Sequence, residues 1–227
     1  MAFNFSPKVV TDGLVLCLDA ANSKSIVSGS TTWNDLSRGG NNGTLVNGPT
    51  FDSGSGGSIV FDGQNDYCNT TYFGGINENY TFSIWGLNPT NASSTYLTRG
   101  RDARGNGWSL GISSAGGQFA AAVVTTIPST VQYTVFGGSF TSNTWYNITG
   151  VWINGVGISL YINGIFIATT NTTSTSLRTS TDGWTLGSIS STIFSNNKVA
   201  NALIYNRALS SQELLQNYNA TKTRFGL

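Results

Sequence analysis

The sequence predicts an all-β chain, two antiparallel sheets packed face to face, with one short helix near its C-terminus. Three observations carry that prediction. Short β-branched and aromatic runs recur along the chain, each cut off by Gly, Asn or Ser. Two Asn-Gly pairs, in "VWINGVG" and "YINGIFI", sit between apolar runs, where the positive φ of a primed turn makes a hairpin. Helical periodicity is missing until "RALSSQELLQNYNATK".

Taken in order, the expected strands are Gly13 to Asp19, Ser58 to Phe61, Tyr80 to Leu87, Ser94 to Arg99, Gly107 to Ile112 and Gln118 to Thr125. They continue with Thr130 to Phe136, Thr144 to Ile153, Gly157 to Ile162, Ile165 to Thr169, Trp184 to Ile189 and Val199 to Tyr205. So many strands at this spacing indicate a sandwich or a barrel. In "TFSIWGL" Phe82 and Ile84 point one way, and Thr81, Ser83, Trp85 and Leu87 the other, so one of these faces enters the core. "WYNITGVWINGVGISLYINGIFIATT" reads as two consecutive hairpins. At the helix, Ser210 and Glu213 have the spacing of a capping box, and Leu214, Leu215 and Tyr218 share a face that docks it on the sandwich. The Gly/Ser-rich "FDSGSGGS" is a loop inside one antiparallel set, so residues 1–227 form a single domain.

Composition excludes several functions. Charged residues are 9% of the chain and net charge is +1, so no field gathers nucleic acid or an anionic membrane. Near-zero charge favours association, which fits a homo-oligomer or high-copy assembly. No apolar run is long enough to span a bilayer, and "MAFNFSPKVV" lacks the form of a secretory signal. Cys17 and Cys68 make no disulfide framework. There is no histidine, which removes the usual general base, the commonest zinc ligand and any Ser-His or Cys-His nucleophile. "GRDARGNG" brings Arg99, Arg101 and Arg104 close together, a grip for an acidic partner or a solvated hairpin tip.

Several motifs carry a family resemblance. "GLVLCLDAANSKSI", "FDGQNDY" (Phe61 to Tyr67), "TFSIWGL", "WYNITGVWINGVGISLYINGIFI" and "VANALIYNRALSSQELLQNYNATKTRFGL" follow one another as in laminin-G-like, concanavalin A-like domains. The chain resembles that family over nearly its whole length, which implies a jelly-roll sandwich. The ending "NYNATKTRFGL" is similar to the tails of single-domain bacteriophage members. That narrower likeness implies a virion structural protein assembled in the host cytoplasm.

The family includes glucanases, which set acids in alternation on one strand; glycosidases need two carboxylates at a set separation. Here the glutamates are Glu78, in the loop-like "GINENY", and Glu213, in the helix cap, so no enzyme is expected. Relatives often hold calcium, and Asp62, Asn65 and Asp66 match positions that contribute to it. The acids that relatives carry on the closing strand are replaced, at Val199 to Ala202, by "VANA", which argues against the ion. Fold-level analogy to lectins makes Trp108, beside Arg101 and Arg104, the candidate platform for a sugar, with Asn65 as a further candidate ligand. Trp85, Trp145 and Trp152 are placed in core strands, and Trp33, Trp108 and Trp184 nearer loops. The expected role is a capsid decoration or cement protein on a phage head, contacting the major capsid protein. The alternative is a tail-fibre or baseplate adhesin, contacting tail proteins and host-surface glycans. A third reading is a bacterial lectin.

Overall fold

The computed structural model describes residues 7–72, 74, 78–90, 92–99, 108–113, 117–125, 131–175, 177, 183–189 and 193–227. Its strands are β1 (Leu14–Asp19), β2 (Thr32–Trp33), β3 (Gly43–Val46), β4 (Thr50–Asp52), β5 (Ser58–Asp62), β6 (Tyr67–Thr70), β7 (Tyr80–Leu87), β8 (Ser94–Arg99) and β9 (Trp108–Ser113). There follow β10 (Gln118–Thr125), β11 (Val131–Ser139), β12 (Trp145–Ile153), β13 (Gly157–Ile162), β14 (Ile165–Asn171), β15 (Trp184–Leu186), β16 (Ser188–Ile189), β17 (Ile193–Phe194) and β18 (Asn196–Tyr205). Helix α1 (Ser211–Thr221) and a 3₁₀ turn (Lys222–Phe225) close the described chain.

Two large antiparallel sheets result, and β16 pairs with β17 as a separate two-stranded ribbon. Sheet A runs β14-β13-β12-β7-β18-β5-β4, with β1 pairing the second half of β18 where β5 leaves it. Sheet B runs β11-β10-β9-β8-β15-β6-β3-β2. The jelly-roll sandwich expected from the sequence is therefore present. The strands missed are the short ones, β2, β3, β4, β6 and β17, too brief to show an alternation. Phe51 and Asp52, read as loop, belong to β4.

The hairpin of "YINGIFI" forms as the sequence requires. Ile162 pairs Ile165, and Asn163 (φ 53°) and Gly164 (φ 76°) both take the positive φ of a type I′ turn. The upstream Asn-Gly behaves differently. Ile153 pairs Gly157 across a three-residue loop in which Gly155, not Asn154, is left-handed, so this is not the tight primed turn expected.

The space between the sheets is filled by Leu16, Phe61, Phe82, Ile84, Leu110, Phe119, Trp152 and Leu160, among others. Tyr80, Phe82, Trp108 and Trp184 pack as a tilted and edge-to-face aromatic cluster with centroids 5.1–5.6 Å apart. Trp33 and Trp184, expected nearer the loops, are fully buried like Trp152. Each contributes about 1.5–3 kcal/mol of apolar burial.

Sheet A is buried on its outer face too. Helix α1 lies over Val151, Leu203 and Tyr205 through Leu214. Trp85 therefore leaves the inter-sheet core and stacks on Phe225 (4.0 Å) and Tyr218 (5.8 Å), while its Nε1 donates to Thr221 Oγ1 at 2.8 Å. Arg224 fastens the turn by donating to Asp19 Oδ1 at 2.7 Å and to the carbonyls of Ser55 and Gly57.

Candidate functional site

Among the described residues no helix lies over the outer face of sheet B at β9 to β11, although Ala122 (3% exposed) and Val124 (0%) are buried there. Strand β16 lies against β8, where Thr98 Oγ1 donates to the Ser188 carbonyl. Alternation explains the shape of this face. On β9 the odd-out residues Trp108, Leu110 and Ile112 enter the core, which leaves Ser109, Gly111 and Ser113 outward. On β10 Phe119, Ala121 and Val123 enter the core, leaving Ala120 and Ala122 outward. On β11 Val135 turns in, and Phe136, 49% exposed, turns out.

Register aligns these small residues across the strands. Thr95, Gly111, Ala120 and Phe136 form one row, and Ser109, Ala122 and Thr134 the next. A floor of Gly, Ala and Ser between taller neighbours makes a shallow groove of about 210 Å³, walled by Phe136 and Gln132 on one side and by Ser93, Ser94 and Ile189 on the other. Gly111 is obligatory there, because a Cβ would lie 2.3 Å from the carbonyl oxygen of Ser94.

Among the described residues no Asp, Glu, Lys or Arg lines the groove. Its polar groups are partly fixed by the protein: Gln132 Nε2 donates to Thr134 Oγ1 (2.9 Å), and Asn197 Nδ2 donates to Ser94 Oγ (2.9 Å). What it offers a ligand is an amide, hydroxyls and one exposed aromatic ring. That combination suits a hydroxylated ring with an apolar face.

Of the sequence-predicted residues, Trp108, Asp62, Asn65 and Asp66 do not line this groove. Trp108 is 1% exposed and sits under the groove, on the inward face of β9, so it is core and not a stacking platform. The period-two alternation that places Ser109 outward forces Trp108 inward. Arg101 and Arg104 lie outside the described residues. Arg99 is buried, with Nη2 donating to the Gly74 carbonyl (3.2 Å) and its guanidinium 5.9 Å from the Trp108 ring. Burial pushes its pKa down, while nearby Tyr80, Tyr72 and Glu78 push it up.

Asp62, Asn65 and Asp66 form the β5–β6 turn and spend their oxygens on it. Asp62 Oδ1 accepts from the amides of Gln64 (2.8 Å) and Asn65 (3.3 Å), which holds its carboxyl below the usual range. Asp66 Oδ2 accepts from the Asp62 amide (3.3 Å), and burial raises its pKa. The Asn65 carbonyl accepts from Asn47 Nδ2 at 2.8 Å. Among the described residues no group of three His, Cys, Asp or Glu side chains could hold a metal. The three residues are placed as a turn that organises its own backbone.

The groove residues Gln132 and Phe136 were not singled out in the sequence. The available signal was "QFAAAVVT" beside "WSLGIS", two strands whose central outward positions, Ala120, Ala122, Ser109 and Gly111, are small.

Comparison with known proteins agrees with the fold. Residues 62–215 match the family model described as the concanavalin A-like lectin/glucanases superfamily. No curated protein shows a significant sequence match. Among solved structures, the chain is similar to the binding domain of Paraclostridial Mosquitocidal Protein 1, with a TM-score of 0.72 at 16% identity over 92% of this chain and 52% of that one. It is similar to the receptor binding domain of botulinum neurotoxin D, with a TM-score of 0.68 at 15% identity over 92% and 52%. Trypanosoma rangeli sialidase in complex with sialic acid matches with a TM-score of 0.69 at 18% identity over 95% and 34%. The chain thus spans about half of each toxin domain and about a third of the sialidase.

Proposed function

From the premise that the chain belongs to the concanavalin A-like lectin/glucanases superfamily, we propose that it is a non-enzymatic carbohydrate-binding module that takes a neutral glycan in the groove over β8 to β11. The observation that carries this reading is the groove floor of small residues, Gly111, Ala120 and Ala122, with exposed Phe136 beside it and no charged side chain among its described lining residues. Similarity to toxin binding domains and to a sialic acid-bound sialidase supports it at the level of fold. A neutral ligand is favoured over an acidic one because no cation is among the described residues that line the groove.

The carboxylates support binding without bond cleavage. Glycosidases need two of them flanking the scissile bond. The described lining of the groove has none, while Glu78 accepts from the Tyr80 hydroxyl at 2.6 Å and Glu213 is held by Arg207 at 2.5 Å.

The test is a calorimetric titration with a panel of neutral oligosaccharides and a sialylated control. A neutral member should bind, Phe136→Ala should weaken it about tenfold, and Ala120→Leu, which raises the floor, should abolish it. No heat from any neutral member, or equal affinity in both variants, would sink the reading.

A second reading keeps the virion role. The strands at the two adjacent sheet ends, β11 and β14, contain no charged residue, and such edges lend themselves to assembly. A phage head-decoration subunit would be found in high copy on the capsid, and a glycan-binding adhesin at the tail. Imaging labelled antibody on virions separates them.

A further inference from the structure

A second recess lies at the other end of the sandwich, where β4 and β2 end the sheet orders. We propose that it is a separate binding site for a neutral amphiphile, an aromatic or short aliphatic body carrying a hydroxylated head. The proposal does not rest on the groove.

Two loops create the recess. After β1 the Asn22 carbonyl accepts from the amides of Ser25 and Ile26, the Val27 carbonyl accepts from Ser30, and Gly29 turns with φ 85°. Between β3 and β4 the chain reverses through Asn47 (φ 67°) and Gly48 (φ 101°) into Pro49. Asn47 is pinned by its bond to the Asn65 carbonyl, so the "FDGQNDY" turn fixes this wall of the recess.

Between the loops the inter-sheet core is reached. Ile26, Leu45 and Ile59, all buried, and half-buried Phe51 line a cleft of about 470 Å³, a size typical of small-ligand sites. Among the described residues its lining has no ionisable side chain. Val27 stands at the mouth 57% exposed, apolar surface that a ligand would cover. Building a Cβ on Gly29 or Gly48 meets nothing within 4 Å, so the mouth is open. Ser28, Thr31 and Thr50, also in the lining, make no side-chain hydrogen bond among the described residues. Apolar walls select an apolar body, and the hydroxyls at hand suit a hydroxylated head; absent charge penalises an ionic one.

The probe is n-octyl β-D-glucopyranoside, kept below its micelle concentration and titrated into the ¹⁵N-labelled full chain. Amides of Val27 to Thr31 and of Asn47, Gly48 and Thr50 should shift saturably, and those of Gly111, Ala120 and Phe136 should not. Ser28→Trp, at an exposed position, should fill the mouth and weaken the titration by about tenfold or more. Val27→Arg should do the same and leaves the buried walls untouched. The proposal is overturned by an absence of saturable shifts, by equal shifts with glucose alone, by shifts confined to the groove amides, or by folded variants that titrate like the parent.

Discussion

The outer faces of the two sheets start from the same pattern and end differently. Sheet A presents Ser83 and Trp85 on β7 and Asn147 and Thr149 on β12; sheet B presents Ser109, Gln132, Thr134 and Phe136. Each is a set of small polar residues with an aromatic. On sheet A the chain satisfies its own groups. Ser83 Oγ lies 2.7 Å from Thr149 Oγ1, Asn147 Nδ2 donates to Ser83 Oγ (3.1 Å) and to the Ile84 carbonyl (3.2 Å), and Trp85 is covered by Thr221 and Phe225. On sheet B Phe136 has no such cover. A polar and aromatic strand face becomes a binding site only where the chain leaves it for another molecule to complete.

The largest effect should come from the covered face. Trp85→Ala removes a ring stacked at 4.0 Å and a buried donor, and should cost about 3–5 kcal/mol of unfolding free energy in denaturant. Phe136→Ala should change stability by less than about 0.5 kcal/mol, its effect falling on ligand affinity. If the two variants unfolded alike, the contrast between the faces would be wrong. A smaller loss, about 1–3 kcal/mol, is expected of Gly164→Val. Its φ of 76° disfavours a β-branched residue, and its Cβ would come 3.1 Å from Tyr218 Cβ and 3.2 Å from Leu215 Cα. Thermal melts check it, and an unchanged midpoint would show that α1 need not seat on the β13–β14 turn.

Much of this was legible in the sequence. The long strands announced themselves because each carries enough residues to show a period, and "LSSQE" announced the helix start. The faces were less legible. Trp85 alternates as a core residue would, yet its partner is the tail 136 residues later, through Thr221. Trp108 follows an arginine-rich stretch and so read as the candidate platform, with core packing as the other reading of it; its register on β9 turns it inward to the core. The groove was missed because it is made of what is small: Gly111, Ala120 and Ala122 carry no chemistry individually and matter only once register sets them in rows. Pairing between distant strands is what a single sequence does not display.

The smallest effect sharpens the contrast through pH. Helix α1, which covers sheet A, is capped by Ser210 and Glu213: Ser210 Oγ accepts from the Glu213 amide (3.3 Å), and Glu213 Oε2 accepts from the Ser210 amide (2.8 Å). Arg207 reaches both carboxylate oxygens, at 2.5 and 3.0 Å. Arg207 first, then the Ser210 amide, hold the Glu213 carboxyl at a pKa of about 2, against an ordinary value of 4.5. A carboxyl depressed in the folded state adds stability above its unfolded pKa and gives it up as pH falls through the folded one. The loss should therefore run from about pH 4.5 to about pH 2, and for this partly exposed pair should be on the order of 1 kcal/mol. Asp52 and Asp62, also depressed, titrate in the same direction, so the measurement is the difference between parent and Glu213→Gln. That difference should shrink steadily across the window, and a flat one would mean that the cap adds nothing. The described lining of the groove has no titratable side chain, so ligand affinity in the folded protein should stay level through the same range; a sloping affinity would place an ionisable group in contact with the ligand.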